Sequence, residues 1–160
     1  MRYQLRQRFW SLTARFAIAN DRAEEVATVD SEPFSLGTRL SLKDARGVER
    51  AVINRRLLSW QPTYELFRDG ALAAVVHKQF TLFRCAFTID VPGPDDLVAT
   101  GSMLDHEYVF TRGDRAVAHV TKAWPALADC YGVELLPDED AILILASAIV
   151  IDMACHDGKR

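Results

Sequence analysis

Trp10-Ser11-Leu12, Phe34-Ser35-Leu36, Leu58-Ser59-Trp60 and Phe80-Thr81-Leu82 are four copies of one short pattern, at intervals of 24, 24 and 22 residues. A second pattern runs in phase with it, an aromatic residue or Leu two places before an apolar one. It recurs as Phe16/Ile18, Leu40/Leu42, Tyr64/Leu66, Phe87/Ile89, Tyr108/Phe110 and Tyr131/Val133. A third places Ala two before a β-branched residue, as Ala27/Val29, Ala51/Ile53, Ala74/Val76 and Ala118/Val120. Spacings of two are the period of a strand with one buried face. Repetition every two dozen residues means repeated supersecondary units.

Each unit reads as strand, turn, strand. Leu40 and Leu42 alternate with Arg39, Ser41 and Lys43, and a turn at Ala45-Arg46-Gly47 leads into the next strand. Asp69-Gly70 is a strong hairpin signal, because glycine accepts the positive φ of a primed turn. Val91-Pro92-Gly93-Pro94-Asp95-Asp96 is a loop, since proline gives no N–H to a ladder. The pattern predicts about twelve strands, near 2–8, 14–19, 24–30, 38–44, 49–56, 63–68, 71–79, 86–91, 97–104, 107–112, 115–122 and 130–135. An antiparallel meander of this length has two open edges unless it closes. A twelve-stranded barrel is too wide for its own side chains to fill.

The filling is the segment after Asp138-Glu139-Asp140. From Ala141 to Ala154 the chain is apolar on every face except for Ser147 and Asp152. An all-round apolar helix is buried or spans a membrane, and this one is shorter than the roughly 20 residues a bilayer requires. A buried helix over about 138–154, threading the barrel, is the prediction. Asp152 either bonds to the barrel backbone at one mouth or marks the point where this helix emerges into water, and the second is the preferred reading.

The chain has 160 residues, a net charge of −3, 49% apolar and 26% charged residues. These values fit one globular domain over 1–160 and provide no global basic field for nucleic acid. Cys85, Cys130 and Cys155 are scattered and form no CxxC pair, which fits a reducing compartment. The basic N-terminus lacks the continuous apolar core of a signal peptide. The reading is cytoplasmic, with peripheral contact at the membrane as its extension.

The sequence resembles the bacterial members of the LURP-one-related family. The resemblance is carried by Phe34-Ser35-Leu36-Gly37, Tyr64-Glu65-Leu66-Phe67-Arg68-Asp69-Gly70, Phe80-Thr81-Leu82-Phe83, Ile89-Asp90-Val91-Pro92-Gly93-Pro94-Asp95-Asp96, Asp105-His106-Glu107-Tyr108 and Ile144 to Asp152. It implies a tubby-like fold, a closed barrel of about twelve antiparallel strands around a hydrophobic C-terminal helix. It also implies kinship with phosphoinositide-binding tubby domains and with phospholipid scramblases, and no settled activity for bacterial members.

No nucleophile elbow, phosphate loop or metal-ligand spacing is present, so a binding module is expected rather than an enzyme, with no cofactor. Basic residues follow the repeat alanines by four places, giving Arg55, Lys78 and Lys122, with Arg56 beside the first. Equivalent positions in successive hairpins fall at one rim. That rim is the candidate surface for anionic phospholipid head groups. The plainer reading is a set of solvated strand ends that discourage edge pairing. A protein-interaction or regulatory module with no lipid role is the alternative function. Asp105 and Glu107 share a face if they lie on a strand, and are the weak candidates for a cation. His77 and His119 occupy matching repeat positions and are expected to face outward. Trp10 and Trp60 are expected to plug the core, and Cys130 to lie in the core. Oligomeric state is left open.

Overall fold

The computed structural model describes residues 1–8, 14–32, 38–80, 85–93, 95–122 and 130–156. Twelve strands run in chain order: β1 Arg2–Gln7, β2 Ala14–Asn20, β3 Glu25–Ser31, β4 Arg39–Asp44, β5 Glu49–Arg55, β6 Thr63–Arg68, β7 Ala71–Phe80, β8 Cys85–Asp90, β9 Leu97–Ser102, β10 Glu107–Arg112, β11 Arg115–Lys122 and β12 Cys130–Leu135. One helix, α1, follows at Ala141–His156. Each strand pairs antiparallel with its neighbours in sequence. β1 closes the barrel on β12, with Arg2 opposite Glu134 and Arg6 opposite Cys130.

The two repeated apolar patterns are the inner wall. Phe16/Ile18, Leu40/Leu42, Tyr64/Leu66, Phe87/Ile89, Tyr108/Phe110 and Tyr131/Val133 are all buried, and so are the four alanine pairs. The ladder keeps them level. Tyr64 lies opposite Val76, Leu66 opposite Ala74, Val76 opposite Ile89 and Phe110 opposite Ala118. Placing large residues beside alanines leaves room for a helix on the axis. From Leu143 to Met153 every residue of α1 is buried. Each of its Leu, Ile and Val side chains contributes about 1.5–3 kcal/mol relative to exposure.

One end of the barrel carries the tight turns and the helix entry. Asp69 and Gly70 have φ of 50° and 77°, the left-handed pair of a primed hairpin turn. Asp44 Oδ1 accepts hydrogen bonds from the Arg46 and Val48 amides, and these bonds hold its carboxyl below the usual carboxylate range. The helix starts three residues later than the acidic triplet suggests. Asp140 is its cap, with Oδ1 accepting from the Ile142 and Leu143 amides at 3.1 and 3.2 Å. The triplet is also an anchor. Arg68 pairs with Asp140, Arg112 with Glu139 at 2.9 Å and Arg115 with Asp138 at 3.0 Å, tying two hairpins, β6–β7 and β10–β11, to the helix entry. The other end is the far rim, where the odd-numbered strands finish and α1 ends.

Candidate functional site

The inward-facing register runs out to the far rim and ends in cations. Ala51 and Ile53 lead to Arg55, Ala74 and Val76 to Lys78, and Ala118 and Val120 to Lys122. Arg55 and Lys122 are the last residues of β5 and β11, where the wall stops, and Lys78 lies two residues before the end of β7, opposite Phe87. Arg55 and Lys122 are exposed and Lys78 is half-buried. Among the described residues no carboxylate lies within ion-pair distance of these three. Arg56 differs. It takes the outward register and pairs with Glu65, so its charge is balanced.

Large apolar side chains stand at the same rim. Leu57, Leu58 and Trp60 lie between β5 and β6, Phe80 ends β7, and Leu104 sits in the β9–β10 turn; all five are exposed. Trp60 is 104% exposed and so is no core plug, contrary to the expectation from its repeat position. The reason is its place in the ladder. The last β5–β6 pair is Arg55 opposite Tyr64, and residues 57–62 lie beyond it, out of reach of the interior. Trp10 lies outside the described residues, as do Phe34 to Gly37 and Thr81 to Phe83.

A polar cluster sits just beneath this rim. His106 is in the turn between β9 and β10 with φ of 54°, and that conformation swings its ring over the barrel mouth. The ring stacks on Tyr131 at 4.5 Å and 12°, and its Nε2 is 2.7 Å from Asp152 Oδ1. Asp152 therefore does not emerge into water. It is 6% exposed and joins the end of the helix to the barrel wall. The hydroxyls of Tyr108 and Tyr131 are buried without hydrogen-bond partners among the described residues. Burial pushes both phenols well above their ordinary range, and the negative charge of Asp152 pushes in the same direction.

Asp105 and Glu107 do not form a pair. Asp105 is in the turn rather than on a strand and accepts from the Ser102 hydroxyl. Glu107, the first residue of β10, accepts from the Lys122 amide at 3.0 Å. Among the described residues no group of three or more His, Cys, Asp or Glu is placed to hold a metal ion. His77 sits on the outer wall, 3.0 Å from Asp90, and His119 is exposed. Cys130 is buried, but on the outer wall rather than in the expected core position, and Arg6 Nε lies 3.4 Å from its sulfur.

The family model for LURP-one-related (LOR) proteins matches residues 1–152. The chain belongs to that family. This LOR chain is 28% identical to the uncharacterized protein YxjI of Bacillus subtilis over 155 residues, covering 97% of this chain and 94% of that protein. No solved structure matches it. The closed twelve-stranded barrel with one C-terminal helix is the architecture that the resemblance implied. No described helix of this LOR barrel is long and apolar enough to cross a membrane.

Proposed function

We propose that this LOR barrel is a non-enzymatic module whose far rim reversibly meets anionic phospholipid head groups. One observation carries the reading: cations that no carboxylate balances among the described residues coincide with exposed apolar side chains at one end of the barrel. Arg55, Lys78 and Lys122 supply the charge, and Leu57, Leu58, Trp60, Phe80 and Leu104 supply apolar contact. Arg56 contributes less than the sequence suggested, because Glu65 already neutralises it. Trp is well suited to such a boundary, with an apolar body and a polar N–H. Each cation near an anionic surface contributes about 1 kcal/mol, so three give about 3 kcal/mol, enough for reversible attraction and no more.

The test is co-sedimentation with liposomes, neutral against anionic and phosphoinositide-containing, at two salt concentrations. Binding is expected to need anionic lipid and to fall with salt. Reversal of the three charges to Glu should weaken it by about 100-fold at low salt, as a 3 kcal/mol loss implies. A melting curve on the same variant separates lost binding from lost folding. Unchanged binding of a folded charge-reversed variant, or no binding to any composition, overturns the proposal. The second outcome leaves the protein-interaction module.

A further inference from the structure

The charged and apolar side chains of the far rim are spread along an arc. The twelve strands close in chain order, so β5 and β11 stand opposite each other, six places apart in the ring. Arg55 ends β5 and Lys122 ends β11. Strands about 4.8 Å apart give a mouth roughly 18 Å across at the backbone, and strand tilt widens it. The outgoing end of α1 fills the middle, with Ile151 and Met153 buried there. Lys78 lies between the two, on β7. Apolar side chains alternate with these cations around the arc: Leu57, Leu58 and Trp60 after Arg55, Phe80 beyond Lys78, and Leu104 before Lys122. One phosphate-bearing head group is too small to reach cations on opposite sides of the helix end. An extended surface that offers both phosphate and apolar contact reaches the whole arc.

The loop between β5 and β6 is the most prominent part of that arc. Leu57 is 64% exposed, Leu58 97% and Trp60 fully. The loop is nevertheless tied down. The Arg56 amide donates to the Thr63 carbonyl at 2.9 Å, and the Lys78 amide donates to the Pro62 carbonyl at 3.2 Å. The Thr63 side chain is buried; its hydroxyl donates to the Gln61 carbonyl at 3.0 Å and lies 2.9 Å from the Ser59 hydroxyl. Ser59, Gln61 and Pro62 are thus bonded back to β6 and β7, while Leu58 and Trp60 stand in solvent. A single exposed apolar residue is ordinary, but a cluster of them rimmed by charge marks an interaction site.

We infer that the β5–β6 loop is a wedge that enters the boundary between head groups and acyl chains of an anionic bilayer, with the barrel standing end-on and Arg55, Lys78 and Lys122 level with the phosphates. This rests on the lipid-facing rim proposed above and commits its partner to the bilayer, not to a free head group. Trp is at home at that boundary. Charge draws the rim in and is screened by salt, whereas the inserted side chains hold it by an apolar contact that salt does not screen.

The experiment titrates the full-length protein with vesicles of phosphatidylserine in phosphatidylcholine and follows tryptophan emission, with brominated acyl chains as the quencher. Tryptophan occurs at 10, 60 and 124, so the difference between the native protein and Trp60→Phe reports residue 60 alone. Phe keeps the apolar contact, and the variant should still bind. The residue-60 signal should move to the blue on vesicle addition and be quenched by the brominated chains. Leu58→Ser combined with Trp60→Ser should weaken vesicle binding by about 100-fold, the loss of two inserted side chains. Its melting temperature should be unchanged, because both side chains are exposed. Soluble glycerophosphoserine at millimolar concentration should not displace the vesicles. Binding without a blue shift at residue 60, undiminished binding of the double variant, or displacement by glycerophosphoserine would each overturn the wedge and leave the lipid-facing rim standing. Absence of binding to any vesicle overturns both.

Discussion

Removing the imidazole from His106 should loosen the end of the central helix. The contact to Asp152 is 2.7 Å, and the two side chains are 22% and 7% exposed. A hydrogen bond to a charged group contributes about 1.5–3 kcal/mol, and breaking a fully buried charged pair costs about 3–5 kcal/mol. The outer edge of His106 reaches solvent, so the lower range applies, and a coupling of about 2 kcal/mol is expected. Alanine is a poor probe at 106, because the φ of 54° would add strain of its own. Asparagine tolerates the left-handed conformation and is too short to reach Asp152. The assay is a double-mutant cycle of His106→Asn and Asp152→Ala, measured by denaturant unfolding. The lost stack on Tyr131 belongs to the His106 arm alone and cancels in the coupling. In a chain of this size 2 kcal/mol corresponds to a fall in melting temperature of about 4–8 °C. Hydrogen exchange should quicken in the last turn of α1 before the strands respond. A coupling below about 0.5 kcal/mol, the level of additivity between independent sites, would refute the reasoning.

Gly101→Ala should be among the most damaging single changes outside the helix. An added Cβ would lie 2.5 Å from the Glu107 carbonyl oxygen and 2.7 Å from Tyr108 Cα, at a φ of 142°. Backbone cannot swing aside, so a loss of at least about 3 kcal/mol is expected in denaturant titration. Stability should also fall at high pH. The folded pKa of Cys155 is raised to about 12 from 9.0, so its protonated form favours folding. That contribution is complete below pH 9 and is lost as pH rises from 9 to 12. The raised phenols of Tyr108 and Tyr131 act in the same direction above pH 10. Melting curves at stepped pH should show the decline, and Cys155→Ala should flatten its first part.

Most of the fold was legible because one physical rule repeats. Every strand must alternate large and small apolar residues inward, and the closed ladder holds successive strands in step, so the period survives in the sequence. The observed strand bounds differ from those expected by two residues at most, the largest gap being at β9. The cluster at the far rim was less legible. His106 and Asp152 are 46 residues apart, and their meeting depends on a single left-handed residue in a turn. The expected strands stopped at 104 and resumed at 107, and nothing in the sequence says which way a residue in that turn points. Asp152 was read by its own chemistry, which favours water, without the partner that makes burial tolerable. Trp60 was misplaced for a related reason. A repeat fixes where a residue falls in the chain, but the ladder had already ended at Arg55 and Tyr64.

The two ends of the barrel use the same residue type in opposite ways. At the helix entry, Arg68, Arg112 and Arg115 stand at hairpin ends, and each is matched by one carboxylate of Asp138-Glu139-Asp140. Six charges cancel there, and what remains is an anchor. At the far rim Arg55 and Lys122 end their strands and Lys78 lies two residues short of the end of β7, yet among the described residues no carboxylate balances them. Part of their role is internal, since the helix ends beneath them with its negative dipole end. That end is worth only about half a charge, far less than three cations require. The far rim thus carries three inward-register cations beside five exposed apolar side chains, with no carboxylate among the described residues to match them. A rim that meets a phosphate-bearing apolar surface has use for both.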